Sequence, residues 1–386
     1  LRVIASAELD LFREEARTWL MENRPRGHRP LEGFALRDYD TSWQRAQYEA
    51  GWAGIAWPKE YGGRGLSQLE QLIWWEEYAR AECPILASMF IALSHAGPTL
   101  IMRGSDAQKA EHLPLILRGE RVWCQGFSEP SAGSDLTSLK TSAVVDGDDL
   151  VINGSKIWTS YGPVADLQEL LIRTEAGSIG RRGLTWIIGD MKAPGVTIRP
   201  IKAMSGLTHF CQVFYDDVRI PLANVVGEIG QGWSVAQTTL GFERGTAMAS
   251  HQVELGRIIE HLCDMARGRR GEAAEMLAAD LAMLRAEVAA LHAMTAVNVS
   301  RGIREAMPGP EGNLVALYYG ELTRRVHQAA LDLLGAEGLE RGDGADDWPL
   351  HYLECFKWAI GGGTSEVRRN GIADRVLGLP KLGRGQ

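Results

Sequence analysis

The chain has 386 residues, 45% hydrophobic and 23% charged, with a formal charge of −8. That length exceeds what one hydrophobic core usually supports, so two or three subdomains are expected. The negative charge gives no footprint for nucleic acid or an anionic membrane, and no apolar run approaches the roughly 20 residues that span a bilayer.

In chain order, residues 1–119 read as a helical domain. The opening LRVIASAELDLFREEARTWL has the pattern of an amphipathic helix, and its acidic residues and lack of a cleavage site set it apart from a targeting peptide. After a turn-rich stretch from Gly54 to Gly65 comes SQLEQLIWWEEYARAE, with Ser67 as cap and Glu70 three residues on, a capping box. Leu69, Leu72, Ile73 and Trp75 follow helical spacing there.

Residues 120–229 change to strand texture. Thr141–Val145 and Leu150–Ile152 flank Asp146-Gly147-Asp148-Asp149, a hairpin signal. Further strands are expected at Leu184–Ile188, Val196–Ile201 and Gln212–Tyr215. Residues 230–386 return to helices, and Leu277, Leu281, Leu284, Val288 and Leu291 alternate spacings of four and three, the seam of a long bundle helix. Helix, strand, helix in segregated blocks argues for an α+β fold with a small β domain.

Several chemistries are excluded. No G-x-G-x-x-G follows a strand, no G-x-x-x-x-G-K-[ST] occurs, H-E-x-x-H is absent, and the histidines lack ligand spacing, so no metal is expected. Five cysteines, at 83, 124, 211, 263 and 355, have no C-x-x-C pair and read as reduced thiols of a reducing compartment, the cytoplasm.

Three stretches carry a signal. WCQGFSEPSAGSDLTSLKT, from Trp123, gathers Ser128, Glu129, Ser131, Gly133, Ser134 and Asp135 at the head of the β block. Small hydroxyls and exposed N–H groups suit an acceptor-rich ligand such as a flavin edge or a pyrophosphate; a surface loop of turn residues has the same composition. NGSKIWTSYG, from Asn153, places Trp158 and Ser160 at a strand end, where the indole either packs in the core or covers a planar cofactor. AIGGGTSEVRRN, from Ala359, holds three glycines, a backbone open to close approach by a ligand.

Taken in order, S-E-P-x-x-G-S-D, N-G-x-K-x-W-T-S and G-G-T-S-E-V-R-R-N-x-x-A-x-R-V-L-G-L-P resemble the acyl-CoA dehydrogenase family over nearly the whole chain, and GIAWPKEYGGRGLS and GEIGQGW fit it too. The resemblance implies an N-terminal helical domain, a middle β-barrel-like or sandwich domain and a C-terminal four-helix bundle, with FAD bound between the β domain and the bundles. It also implies an acyl-CoA substrate, dehydrogenated to a trans-2-enoyl-CoA, and electron transfer to an electron-transfer flavoprotein. By match, Phe127 and Ser128 approach the pyrimidine end of the flavin, with Gly133 beside them. Ser134 meets FAD phosphate or the CoA side, Trp158 stacks near the isoalloxazine, and Ser160 donates towards N5. Thr364 and Glu366 match positions at the FAD phosphates or adenosine. An acid there calls for a paired cation, with Arg368 and Arg369 the candidates.

Many members place the α-proton base immediately before the G-T of the last motif, and here that position is Gly362. The alternative family position, on the first C-terminal helix, is Glu243, so Glu243 is the expected base and Arg244 the expected CoA contact. The Gly362 N–H remains available to the thioester carbonyl. Two elements that reach a neighbouring subunit's FAD in the family depart from pattern. R-x-x-F-G is missing from CDMARGRRGEAAE, and Q-x-x-G-G-x-G appears as Asp332-Leu-Leu-Gly-Ala336-Glu-Gly. The chain is therefore expected in a homo-oligomer or, with a homologous second chain, in an α2β2 assembly. Non-catalytic-subunit and flavin-monooxygenase readings remain as alternatives.

Overall fold

The computed structural model describes residues 6–242, 248–305, 311–342 and 347–380. In chain order its helices are α1 (Ala7–Asn23), α2 (Gly33–Glu49), α3 (Gln68–Arg80), α4 (Gly97–Arg103), α5 (Asp106–Leu117), α6 (Gly232–Phe242), α7 (Met248–Ala266), α8 (Glu272–Glu305), α9 (Gly312–Leu334), α10 (Trp348–Cys355) and α11 (Ser365–Arg375). The strands, all between α5 and α6, are β1 (Trp123–Gly126), β2 (Ser142–Asp146), β3 (Asp149–Ser160), β4 (Leu167–Arg173), β5 (Leu184–Asp190), β6 (Val196–Ile201) and β7 (Phe210–Pro221). Contacts group these elements into two compact units. A helical unit comprises Leu1–Arg26, Ser67–Cys83 and Arg244–Gln386; a sheet unit comprises Gly27–Leu66 and Pro84–Glu243.

In the sheet unit the strand order is β1-β4-β2-β3-β7-β6, with β5 on the other edge of β4. The expected hairpin is present: Gly147 and Asp148 join β2 to β3, with Gly147 at φ 62°. β5 is buried along Leu184–Gly189, which explains its continuous apolar run. β1 and β4 gave no strand signal. β4 carries Gln168 and Glu169 as its second and third residues, and both are fully buried: the Glu169 carboxylate accepts from Gln125 Nε2 at 2.7 Å and lies 3.2 Å from His95 Nδ1. Buried polar pairing broke the hydrophobic pattern there. At the start of α6, Gly232 rides on β5 so closely that a Cβ would stand 2.4 Å from the Trp186 nitrogen, which accounts for the third glycine of GEIGQGW.

In the helical unit the Ser67 cap is as expected: Ser67 Oγ accepts from the Glu70 N–H, and the Glu70 carboxylate accepts from the Ser67 N–H at 2.8 Å. α3 also carries Glu77, 1% exposed, whose carboxylate is bound by Arg13 and Arg17 of α1 and by Arg80. Burial works to raise the Glu77 pKa, but the arginines outweigh it and hold the carboxyl below its ordinary value. α8 buries Leu281, Leu284, Val288 and Leu291 against Leu322, Val326 and Leu333 of α9, the predicted bundle seam. No helix among the described residues is long and apolar enough to cross a membrane.

Candidate active site

The loop after β1 is held from behind. Lys156 of β3 is fully buried, and its Nζ donates to the Phe127 carbonyl at 3.1 Å and to Glu129 Oε1 at 2.8 Å. The Glu129 carboxylate accepts further bonds from the Thr141 N–H at 2.8 Å and the Lys140 N–H at 2.6 Å. Burial pulls Lys156 down to about 8 against the attraction of Glu129. Burial works to raise Glu129, but Lys156 and the two N–H donors together hold it below its ordinary value. The pair is charged at neutral pH. Because a trans peptide sets C=O and N–H antiparallel, fixing the Phe127 carbonyl inward turns the Ser128 N–H outward. The Ile157 N–H donates to the Ser128 carbonyl at 2.9 Å and fixes the next peptide. Phe127 itself is buried at 4%, whereas Gly133, Ser134 and Asp135 form the exposed outer rim.

The neighbouring strand aims an indole the same way. The β3–β7 register slips between Lys156 and Thr159, and in that bulge Trp158 adopts φ 62° with 58% exposure. Bulges re-aim side chains beside functional sites, and a left-handed non-glycine residue costs of the order of 1–3 kcal/mol. At that exposure the indole is not packed in the core of this chain; among the aromatic rings of the described residues it meets the edge of Phe210, with centroids 6.1 Å apart. Ser160, half-buried, sits opposite Phe210 in the ladder. A large apolar face beside an outward N–H and small hydroxyls matches a planar heterocycle with acceptors on its edge.

In the helical unit, Gly362 at φ 65° and Gly363 at φ 112° turn the chain into α11. Thr364 is the N-cap, accepting from the Val367 N–H at 3.3 Å. Of the two cations weighed for Glu366, Arg368 is engaged elsewhere: its guanidinium donates to backbone carbonyls. Arg369 lies 4.0 Å from the exposed Glu366 and is bonded to Glu321. Glu366 is held below its ordinary value by its own backbone N–H and by Thr364. Below the glycines, Trp358 packs on His251 of α7 at 4.7 Å and edge-on to Tyr319 of α9 at 5.4 Å. Burial pushes His251 down to about 4, so it is neutral under ordinary conditions. α9 approaches this turn so closely that a Cβ on Gly320 would stand 2.7 Å from the Trp358 carbonyl oxygen. Asp332, near the end of α9, accepts from Gln328 at 2.9 Å and lines a cavity of about 550 Å³ with Asp280, Arg324 and Arg325.

Glu243 and Arg244 lie outside the described residues. The expected loop and indole of the sheet unit are thus adjacent, as are Gly362, Thr364 and Glu366 of the helical unit. Of the two residues that hold these backbones, Lys156 was not singled out by the sequence, and Arg368 was expected only as a cation for Glu366. The first is visible in hindsight as a lysine between the strand apolars Ile152 and Ile157.

Family models for the N-terminal, middle and C-terminal domains of acyl-CoA dehydrogenase match residues 6–120, 124–218 and 230–377. The chain belongs to the acyl-CoA dehydrogenase family. It is 37% identical over 393 residues to "Acyl-CoA dehydrogenase IpdE1" of Mycobacterium tuberculosis, covering 98% of this chain and all of that protein. Among solved structures, "Tcur3481-Tcur3483 steroid ACAD" superposes with a TM-score of 0.85 at 31% identity, covering 99% of this chain and all of that one. The ChsE4-ChsE5 complex from Mycobacterium tuberculosis gives 0.83 at 28% identity, with 99% and 100% coverage. This acyl-CoA dehydrogenase therefore has the fold its motifs implied: helical N-terminal, curled β middle and helical C-terminal parts.

Proposed function

We propose that this chain is the base-bearing subunit of an FAD-dependent acyl-CoA dehydrogenase, paired with a homologous second chain and acting on a bulky, steroid-type acyl-CoA thioester. The observation that carries the reading is Gly362: at φ 65° this position favours glycine over any side chain, so the usual family site of the base is left as bare backbone. The base is then Glu243, taking the α-proton while the Gly362 N–H donates to the thioester carbonyl oxygen, where negative charge develops. FAD, when bound, supplies the acceptor for the β-hydride, and the product is a trans-2-enoyl-CoA.

The residues present fit that group. Trp158 offers a face to the isoalloxazine, while Ser128 and Ser160 donate along its edge and Phe127 backs the pyrimidine end. Gly133 and Ser134 would meet phosphate or CoA, Thr364 and Glu366 would serve the phosphates or adenosine, and Arg244 would serve the CoA. Two electrons then leave to an electron-transfer flavoprotein, and the free thiols at all five cysteines support a cytoplasmic setting.

Heteromeric assembly is supported by Asp332, which puts an acid where the family uses glutamine towards a neighbour's diphosphate, and by the missing R-x-x-F-G. The two solved relatives, each named as a pair of chains and one as a steroid enzyme, support the partner and the substrate class. The test is anaerobic mixing of the co-purified enzyme with straight, branched and steroid acyl-CoAs. Flavin bleaching without NAD(P)H, strongest with the steroid thioester and abolished in Glu243→Gln, is expected. Bleaching at the normal rate in Glu243→Gln would overturn the base assignment, and full FAD occupancy of this chain alone would overturn the heteromer.

A further inference from the structure

The glycine run presents a physical difficulty. Three residues without Cβ atoms are the least able to hold a defined backbone, because glycine has the widest conformational freedom to lose. Yet a donor to a developing oxyanion acts only if its N–H is already aimed at the place where the charge appears. Something outside the run must hold it.

Arg368, on the second turn of α11, is 8% exposed and turned inward. Its Nη2 donates to the Gly361 carbonyl at 2.7 Å, and its Nη1 to the Trp358 carbonyl at 2.8 Å and the Ala316 carbonyl at 3.2 Å. One planar guanidinium thus joins α9, the turn before the glycines and the glycine run itself. These are charge-assisted bonds, stronger than neutral ones, in the fixed fork that only arginine supplies. The peptide between Gly361 and Gly362 is trans. With its carbonyl drawn inward to Arg368, its N–H points the opposite way. Among the described residues the Gly362 N–H has no hydrogen-bond acceptor, so the clamp leaves it available to a ligand.

We propose that Arg368 is a positioning residue for the dehydrogenation: by holding the Gly361 carbonyl it aims the Gly362 N–H at the thioester carbonyl oxygen of the acyl-CoA. The inference rests on the function proposed above. Arg368 touches neither substrate nor cofactor in this role; it acts through one peptide plane. As the α-proton leaves, electron density moves onto the thioester oxygen, and the bond from Gly362 strengthens. A donor that has lost its alignment weakens the transition state more than the ground state, so kcat falls while KM stays nearly constant.

The experiment compares wild type with Arg368→Lys and Arg368→Gln, each as the FAD-loaded, co-purified enzyme. Lysine keeps a charge but cannot span three carbonyls. Three readouts are taken: single-turnover flavin reduction by acyl-CoA, the infrared stretch of a 13C-labelled thioester carbonyl in the bound state, and hydrogen exchange of the 356–370 peptide without ligand. For Arg368→Lys we expect reduction slower by about 10- to 100-fold, less than the roughly 100- to 1,000-fold cost of removing an oxyanion donor outright. The carbonyl stretch should move back towards its free value, and exchange in the peptide should rise. An unchanged stretch with an unchanged rate overturns the proposal, and so does faster exchange with a wild-type rate, which would make the clamp a folding device only. A wild-type enzyme that binds acyl-CoA without bleaching removes the functional reading itself, a distinct result because the ligand-free exchange still reports on the clamp.

Discussion

Replacing Lys156 with methionine isolates the device that holds the SEP loop. The methionine keeps most of the stem's volume, so the perturbation is mainly the lost ammonium. Lys156 and Glu129 have side chains 0% and 5% exposed, so neither charge can turn to water. The variant leaves the Phe127 carbonyl without its donor and Glu129 with only the Lys140 and Thr141 N–H groups. Breaking a buried ion pair from one side costs roughly 3–5 kcal/mol. The two surviving N–H bonds favour the low end, about 3 kcal/mol.

Removing both charges with Glu129→Gln/Lys156→Met should restore more than half of that loss, since no ion is then stranded. Urea unfolding followed by tryptophan fluorescence measures both variants. A cost below about 1 kcal/mol for the single variant, or a double variant no better than the single, would refute the argument that this pair is desolvated. The pH dependence gives a second reading. Glu129 has a folded pKa below its ordinary value of 4.5, so its contribution is fully present above that value. It is lost as pH falls through the lower folded pKa, because the unfolded chain takes up the proton first. Glu129→Gln should flatten the acid side of the stability profile.

Trp158→Gly should act in opposite directions on two observables. It relieves a φ of 62° and should stabilise the FAD-free protein by up to about 1 kcal/mol in urea, while weakening FAD binding by tenfold or more in fluorescence titration. Equal loss of both would show the indole to be a core residue. His251, with its pKa lowered to about 4 from 6.5, makes the folded state the weaker proton binder between those values. Stability should therefore fall as pH drops from 6.5 towards 4, and His251→Phe should remove that part of the slope; an unchanged slope would mean the ring is solvated.

Much of the fold was legible because its signals are local. The Ser67–Glu70 box, the Asp146–Asp149 hairpin and the α8 seam each lie within a few turns of chain, and each appears where expected. The motifs also pointed to backbone segments that the fold brings together within each unit: the loop after β1 with β3, and the glycines with the start of α11. What escaped was whatever depends on partners distant in sequence. β4 did not read as a strand because Glu169 and Gln168 are paired with groups that no period reveals. Nothing local to Lys156 in the sequence names its partners, Glu129 and the Phe127 carbonyl. Arg368 and Arg369 are adjacent in sequence and chemically alike, yet one faces three carbonyls and the other faces Glu321. Helix phase separates them, and composition does not. Texture along the chain tells which residues are helical without telling which helices share a core.

That last point bears on how the polypeptide acquires its structure. α1 and α3 belong to the helical unit, but the segment Pro84–Glu243 of the sheet unit is made before α7 exists. During synthesis Arg13, Arg17 and Glu77 have all emerged while Arg257, which donates to the Ala79 carbonyl at 3.3 Å, is still untranslated. At ordinary elongation rates that interval is of the order of ten seconds. Through it the apolar faces of Trp74 and Ile73 stay without their final cover, while the sheet unit can close at once. The ion cluster on Glu77 draws on α1 and α3 alone, so it requires no part of the chain that is made later.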